Sequence, residues 1–367
     1  PVPNERIGWR LKHLESWRCR TFREFREDCR AAAFGWMGLG LRPGDRIGIF
    51  TESRYEFPLS LWSALGAKAL PVLAGPSVDI TDLARIILET QPSAIVLENA
   101  FLLEKLKMAG APIPPTVILV DALAGGTGPG VLGFLGLEEV GREAASRMPD
   151  AFERNLRDAG PDVLFCVCYT LGTTGKPKGV LLAQDGLVSV FEDIVSVFKS
   201  HLSDEGESIF SFLPPTHILG LLESLSVFVL GLKQAFTDRS TPIATQLKSL
   251  QPTLIFGPTR FFSEIYRKAP TTPVGLFLAS HRLRERLGGK LKFALCGEET
   301  LPQEASSFFR KAGVPVLDGY GLTECSGPLT LNTHDLFRAG TSGRPLPEVQ
   351  MRISQEGEVL IRSRKIF

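Results

Sequence analysis

Two rhythms of apolar and polar residues take turns along the chain, one with the period of a helix and one with the period of a strand. Residues 7–39 carry Arg, Glu, Phe and Trp at helical spacing, and Thr21 with Glu24 three positions on has the signature of a capping box. The turn LRPGD then leads into an alternating strand that ends at Phe50. Helical spacing returns over 57–69 and 80–89, and short apolar strands are predicted at 70–73, 93–97, 116–120 and 163–168. A second run of the same alternation follows. It reads as helix 186–199, strand 208–212, a helix ending at Leu230, strand and turn 252–261, helix 262–269, strand 290–296, helix 303–311 and strand 314–317.

Strands alternating with helices of this length form parallel sheets covered on both faces. The expected fold class is therefore α/β, with two mostly parallel sheets flanked by helices. From Gly340 the character changes to short alternating strands around Pro and Gly turns, the start of a small antiparallel β-barrel subdomain. The expected division is a first α/β subdomain over 1–165, a second over 166–335 that carries the ligand loops, and the beginning of the β subdomain over 336–367. Residues 124–136 break the regularity. AGGTGPGVLGFLG lacks the GxGxxG spacing of a dinucleotide fingerprint, opens no clear helix and reads as a surface loop.

Composition narrows the function classes. With 367 residues, 44% of them hydrophobic and 22% charged, the chain can bury a large core. Lys plus Arg number 41 against 40 for Asp plus Glu, so bulk charge gives no sign of a nucleic-acid binder and any anionic ligand must be met locally. The six cysteines form no CxxC pair and no zinc spacing with His, which predicts reduced, mostly buried thiols, and Cys166 and Cys168 share one face of a strand. No apolar signal-peptide segment opens the sequence, and the most apolar window, 217–232, is interrupted by Glu223 and too short for a bilayer. A soluble cytoplasmic protein is expected, with peripheral membrane contact left open.

Candidate chemistry gathers in YTLGTTGKPKGV, residues 169–180, directly after an apolar strand. Gly172, Gly175 and Gly179 let the backbone turn its N–H groups toward a ligand. Thr170, Thr173 and Thr174 add hydroxyl donors, and Lys176 and Lys178 bring positive charge to oxyanions. A Walker loop is a poor fit, because Gly175 and Lys176 follow Gly172 too soon for GxxxxGK[ST], and a plain surface turn can have the same composition. A second candidate is DGYGLTE, residues 318–324, after the strand 314–317. Ligands of α/β sheets sit at the carboxyl ends of strands, so the two segments can share a crevice. Tyr320 offers a flat face for a base, Thr323 a hydroxyl for a phosphate oxygen and Glu324 a carboxylate for Mg²⁺.

The first string closely resembles YTSGTTGxPKGV, a signature of the acyl-adenylate-forming superfamily that includes acyl-CoA synthetases, luciferases and the adenylation domains of peptide synthetases. GYGLTE matches that family's second signature without a substitution. One position departs: Leu171 stands where serine is usual and cannot donate a hydrogen bond near the distal phosphates. The resemblance implies that Thr170, Gly172, Thr173, Thr174, Gly175 and Lys178 meet the phosphates of ATP. It also implies that Thr174, Lys178, Thr323 and Glu324 serve catalysis, with Glu324 holding Mg²⁺. LKFALCGEETLP, residues 291–302, is similar to the family's SGGAPLP turn, which implies an adenine pocket lined by the backbone of Gly297, Glu298 and Glu299. Asp318, next to Gly319 and Tyr320, matches the position whose side chain meets the adenine amino group.

LPPTHILG, residues 213–220, is similar to the family motif LPLFHxxG. His217 is thereby implied to orient and shield the substrate carboxylate, which is ionised near neutral pH and needs no base. Amino-acid-activating relatives carry an Asp just after this position; Ile218 stands here, and burying an ammonium without a counter-charge is expensive. Ile218, Gly220, Phe256, Gly257 and Gly321 are the implied substrate contacts. In overall wording the chain looks most like long-chain fatty acyl-CoA synthetases. The implied reaction forms acyl-AMP from a fatty acid and MgATP, then passes the acyl group to coenzyme A. Acyl carrier protein is the alternative acceptor, and Leu171 motivates a second alternative, a degenerate nucleotide-binding relative. The family's TGD segment and its small C-terminal domain with a catalytic lysine are expected beyond the residues present.

Overall fold

The computed structural model describes the chain apart from residues 1–4, 14–15, 76–77, 123–127, 171–174, 204–205, 238–240, 271 and 367. It begins with a hairpin, β1 (Ile7–His13) and β2 (Ser16–Thr21), followed by helix α1 (Phe22–Gly38). The single helix expected over 7–39 thus starts only at Phe22. The predicted capping box sets that start: Thr21 Oγ1 accepts from the Glu24 N–H at 3.2 Å, and the Glu24 carboxylate accepts from the Thr21 N–H at 2.7 Å. Upstream of the cap, tertiary pairing overrides local spacing, because β1 runs parallel to a distant strand with Trp9 opposite Gln234.

The first sheet comprises β3 (Arg46–Phe50), β4 (Leu70–Leu73), β5 (Ala94–Leu97), β6 (Thr116–Leu119), β7 (Val131–Gly133), β8 (Leu164–Thr170) and β9 (Lys178–Ala183). Its order is β7-β6-β5-β3-β4-β8-β9, parallel except for β9, which returns antiparallel to β8. Helices α2 (Glu56–Gly66), α3 (Ile80–Thr90), α4 (Ala100–Met108), α5 (Phe134–Arg147) and α6 (Ala151–Arg157) connect and cover it. Alternate strand residues enter opposite cores: Ile47, Ile49 and Val96 join the layer with α1 and α2, whereas Phe50, Ile95 and Leu97 join that with α3 and α4.

Of the glycine-rich stretch expected to be a surface loop, residues 131–136 instead fall in regular elements. Residues 123–127 lie outside the described ones, but β7 forms the sheet edge and α5 opens at Phe134. A Cβ on Gly141 would stand 2.1 Å from the Ala31 carbonyl oxygen of α1, so the glycine is what lets the two helices touch backbone to backbone.

The second half contains α7 (Gln184–Phe198), β10 (Ser208–Ser211), α8 (Ile218–Leu230), β11 (Lys233–Phe236), α9 (Ile243–Leu250), β12 (Leu254–Pro258), α10 (Thr259–Arg267) and α11 (Pro273–Arg286). It continues with β13 (Phe293–Gly297), α12 (Gln303–Lys311), β14 (Val316–Leu322), β15 (Gly327–Leu331) and β16 (Arg344–Pro345). The second sheet has the order β16-β15-β14-β13-β12-β10-β11-β1-β2, parallel in the middle with antiparallel strands at both edges. The sheets therefore do not part at residue 165 as expected. β8 and β9 complete the first sheet, while β1 and β2 edge the second.

One apolar cluster runs from Phe165, Cys166 and Cys168 of the first sheet through α7 and α8 to Phe256 and Leu295 of the second. Burial of nearly every residue from Ile218 to Val227 explains why α8 is apolar nearly all round, with Val229 near its end exposed. Strands β17 (Gln350–Ile353) and β18 (Val359–Arg362) form a separate antiparallel hairpin; no closed barrel forms among the described residues. No helix among them is long and apolar enough to cross a membrane. All six cysteines are free, with Cys19 exposed and the other five buried.

Candidate active site

Strand ends from both sheets open onto one cleft of about 420 Å³. From the first sheet come Thr170, at the end of β8, and Lys178, at the start of β9. They are direct partners in the antiparallel ladder, so the hairpin pins the lysine beside the threonine at the base of its loop. At Gly175 the loop takes a φ of 76°, a left-handed turn that favours glycine. Leu171, Gly172, Thr173 and Thr174 lie outside the described residues.

The second sheet supplies the opposite wall. Gly319, Tyr320 and Gly321 of β14 line the cleft, and the following 3₁₀ turn, Thr323–Cys325, adds Thr323 and Glu324. Thr323 is buried, whereas Glu324 is exposed. Gly297 ends β13 and lines the cleft with Glu298, whose φ of 81° is unusual for a residue with a side chain. Phe256 comes from β12. The expected residues that converge are therefore Thr170, Lys178, His217, Ile218, Phe256, Gly297 and Glu298, together with Gly319 to Gly321, Thr323 and Glu324.

Between these walls stands the N-terminus of α8. His217 is its N-cap, with Nδ1 accepting from the Leu219 N–H at 3.4 Å. An accepting Nδ1 leaves the ring proton on Nε2, which stands 3.8 Å from Glu298 Oε1. Burial lowers the His217 pKa and outweighs the opposing pull of the Glu298 carboxylate, so the imidazole is neutral near pH 7. Ile218 also lines the cleft, which puts the positive end of the α8 dipole at its edge.

Five expected contacts are absent from the cleft lining, Gly175 of the glycine-rich loop among them. Asp318 is only 1% exposed and lies under the cleft rather than on it: Oδ1 accepts from the Leu301 N–H at 3.2 Å, and Oδ2 is buried without a partner. Burial pushes its pKa up to about 6, against the Leu301 hydrogen bond. Glu299 is exposed outside the cleft lining. Gly257 faces the ring of Phe262, and Gly220 lies against the turn before His217, where a Cβ would stand 2.2 Å from the Pro214 carbonyl oxygen.

Two supporting residues carry no motif of their own. The Cys168 thiol donates to the Thr216 carbonyl at 3.1 Å, tying the strand before the glycine-rich loop to the turn that carries His217. Burial first, and the nearby Glu324 carboxylate second, push this thiol up to about 12, which keeps it a donor. The Thr259 hydroxyl lies within hydrogen-bond reach of the Gly297 carbonyl, at 3.0 Å, and of the Glu299 carbonyl, holding the turn that presents Glu298. Sequence spacing marks Cys168 as core and gives no signal for Thr259. Leu222, Leu295 and Leu331 complete an apolar wall.

Chemically, the cleft joins a lysine, two threonine hydroxyls, two carboxylates and a neutral imidazole to an aromatic face and an apolar wall. Among the described residues no three of His, Cys, Asp and Glu gather to hold a metal ion unaided. The family described as AMP-binding enzyme matches residues 9–367. A long-chain-fatty-acid–CoA ligase, FadD15, of Mycobacterium bovis is 28% identical over 397 residues, covering 96% of this chain and 63% of that protein. Fatty acyl-CoA synthetase A of Dictyostelium discoideum is 26% identical over 381 residues, covering 90% and 56% respectively. The chain thus spans less than two thirds of the length of these relatives. Among solved structures, the anthranilate CoA ligase AuaEII in complex with anthranoyl-AMP superposes with a TM-score of 0.79 at 17% identity, covering 99% of this chain and 67% of that one. The o-succinylbenzoate CoA synthetase MenE of Bacillus subtilis, in complex with ATP and magnesium ion, gives 0.73 at 17% identity, covering 99% and 69%. At such identity the likeness concerns the fold.

Proposed function

The chain belongs to the AMP-binding enzyme family, and from that premise we propose that its cleft activates a long-chain fatty acid. In this reading the carboxylate oxygen attacks the α-phosphorus of ATP, forming acyl-AMP and releasing pyrophosphate. The thiol of coenzyme A then attacks the acyl carbon, giving the thioester and AMP. The observation that carries the reading is the meeting of Lys178, from one sheet, with Thr323 and Glu324, from the other, in a single cleft.

Each residue then has a physical task. Lys178 neutralises phosphate charge, and Thr170 and Thr323 donate to phosphate oxygens. Gly172, Thr173 and Thr174 extend that cradle, as their motif implies. Tyr320 stacks against the base, and the backbone at Gly297 and Glu298 borders it. His217, a neutral Nε2–H donor, holds one oxygen of the substrate carboxylate in line for attack and takes no proton from it. Ile218, Leu222, Phe256, Leu295 and Leu331 meet the alkyl part, and the apolar Ile218 disfavours an ammonium there. Magnesium, when bound with ATP, would neutralise phosphate charge. Glu324 would hold it while phosphate oxygens supply other ligands, which suits an ion that rarely uses an all-protein cage.

The test is pyrophosphate–ATP exchange driven by palmitate and, for comparison, by phenylalanine. Exchange with palmitate only is expected, with Lys178→Gln lowering it about 10²-fold or more and Glu324→Gln raising the magnesium concentration needed. Exchange with phenylalanine but not palmitate, or none with any carboxylic acid in a protein that binds ATP, would overturn the proposal.

A further inference from the structure

A second cavity among the described residues is larger than the cleft above. It holds about 1040 Å³ and lies at the other end of the two sandwiched helices. Leu187, Val188, Phe191 and Val195 of α7 line it, together with Gln184 and Glu192, and their spacing makes one continuous helical stripe. From Gln184 to Val195 that stripe runs about 16 Å at 1.5 Å per residue. Leu225, Phe228 and Val229 of α8, Trp62 and Leu65 of α2, and Phe165 of β8 form the facing walls. Leu187 and Phe191 of this stripe are buried in the core, whereas Val188 is half exposed on the open side.

The cavity is closed toward the nucleotide cleft and open toward solvent. The two share no lining residue, and none of Val190, Ile194, Leu221 and Leu222 of the same two helices, of which Ile194 and Leu222 line the cleft, is more than 3% exposed. On the outer side Leu156, Val163, Val188 and Val229 are 41%, 43%, 50% and 45% exposed, although each is a lining residue. These four are the exposed apolar rim of a pocket with a buried floor, where Leu187 and Leu225 are 4% and 5% exposed.

We propose that this cavity is a second acyl-lipid site, separate from the catalytic cleft, that takes a single long hydrocarbon chain from the solvent side. Its volume is at the upper end of the 300–1,000 Å³ usual for small-ligand pockets, and its elongated stripe suits an extended chain. A peptide is a poor occupant, because its buried N–H and C=O groups need partners that these walls do not offer. The Asn155 amide is already given to the Gly66 carbonyl, and Lys68 is paired with Asp158 at 2.7 Å. The Trp62 indole N–H is buried without a partner, which fits a ligand with an acceptor group, such as a carboxylate or ester carbonyl, and Gln184 and Glu192 add polar groups to the lining. The site does not depend on acid activation in the cleft.

The experiment titrates the protein with cis-parinaric acid, a fluorescent long-chain acid, in the presence and absence of saturating AMP. Two probe molecules are expected per chain. Val188→Asp and Val229→Trp, both at the exposed rim, should each remove one of them, weakening it 10-fold or more while AMP affinity and melting temperature stay unchanged. Ile218→Trp, in the catalytic cleft, should remove the other. If both rim variants fold and leave the stoichiometry at two, or if Ile218→Trp alone abolishes all probe binding, the second site does not exist. Neither readout requires ATP turnover, so a protein that activates no carboxylic acid can still pass or fail.

Discussion

Replacing Asp318 by Asn should flatten the acid-to-neutral stability profile of the protein, and the size of the effect follows from one carboxyl group. In the folded chain, at 1% exposure, Asp318 Oδ1 accepts from the Leu301 N–H and Oδ2 has no well-formed hydrogen bond, with the Cys296 thiol nearby as a lesser pull toward the charged form. Burial raises the pKa from 3.8 to about 6. The folded state therefore binds the proton more tightly than the unfolded state, and stability is fully present below pH 4 and lost as the pH rises through 6. A rise of about 2 pH units corresponds to about 3 kcal/mol over the whole window, of which roughly half falls between pH 5 and 8. Asn keeps the acceptor for Leu301 and carries no charge at any pH. Urea unfolding of both proteins at pH 5 and pH 8 reads the difference directly, because other carboxyls with raised pKa values, such as the half-buried Asp28 and Glu138, titrate alike in both. The wild-type protein should lose about 1–2 kcal/mol more than Asp318→Asn between these conditions. Equal losses would mean that Asp318 is already ionised at pH 5, and the account of an unpaired buried oxygen would be wrong.

Three further outcomes are expected. Gly141→Ala should destabilise the protein by about 3 kcal/mol, the upper end for overpacking, because its Cβ would press on the Ala31 carbonyl of α1, and thermal melting checks it. Lys365→Met should cost about 3–5 kcal/mol in urea unfolding by leaving a buried carboxylate unpaired, since Lys365 is fully buried against Asp193 of α7. Adding Asp193→Leu should recover most of that loss. His217→Asn should lower pyrophosphate exchange about 10–10²-fold at a constant ratio between pH 7 and 8, where the wild-type imidazole is already neutral. A ratio that changes steadily over that interval would contradict the lowered pKa.

Elements fixed by neighbours in sequence were legible in advance; elements fixed by distant partners were not. Helix α12 begins and ends where spacing alone puts it, and the Thr21–Glu24 box marks the true start of α1. The residues before that box carry a helical spacing of large side chains, yet β1 is a strand because Trp9 finds Gln234 across the chain, with its indole N–H donating to the Gln234 amide oxygen at 3.2 Å. The glycine-rich stretch 124–136 reads as a surface loop for a related reason: β7 is a strand because it pairs with β6, a partner that local composition does not show. The return strand β9 also carries no local signal, although it is what fixes Lys178 opposite Thr170.

At the site, the motifs reveal which loops meet, and depth along a strand decides which of their side chains reach the ligand. Asp318 and Tyr320 are two residues apart on β14, so strand geometry puts them on the same side, separated by about 7 Å along the strand. At Tyr320 the strand has emerged into the cleft; at Asp318 it is still roofed by the turn after β13, whose Leu301 N–H comes down to the carboxylate. That turn is held in place by Thr259, a residue outside every motif. A string of letters gives the alternation of faces but not the height of the roof. The same side chain that would meet a base if it lay at the surface becomes, one turn lower, a buried acid whose proton supports the floor beneath the cleft.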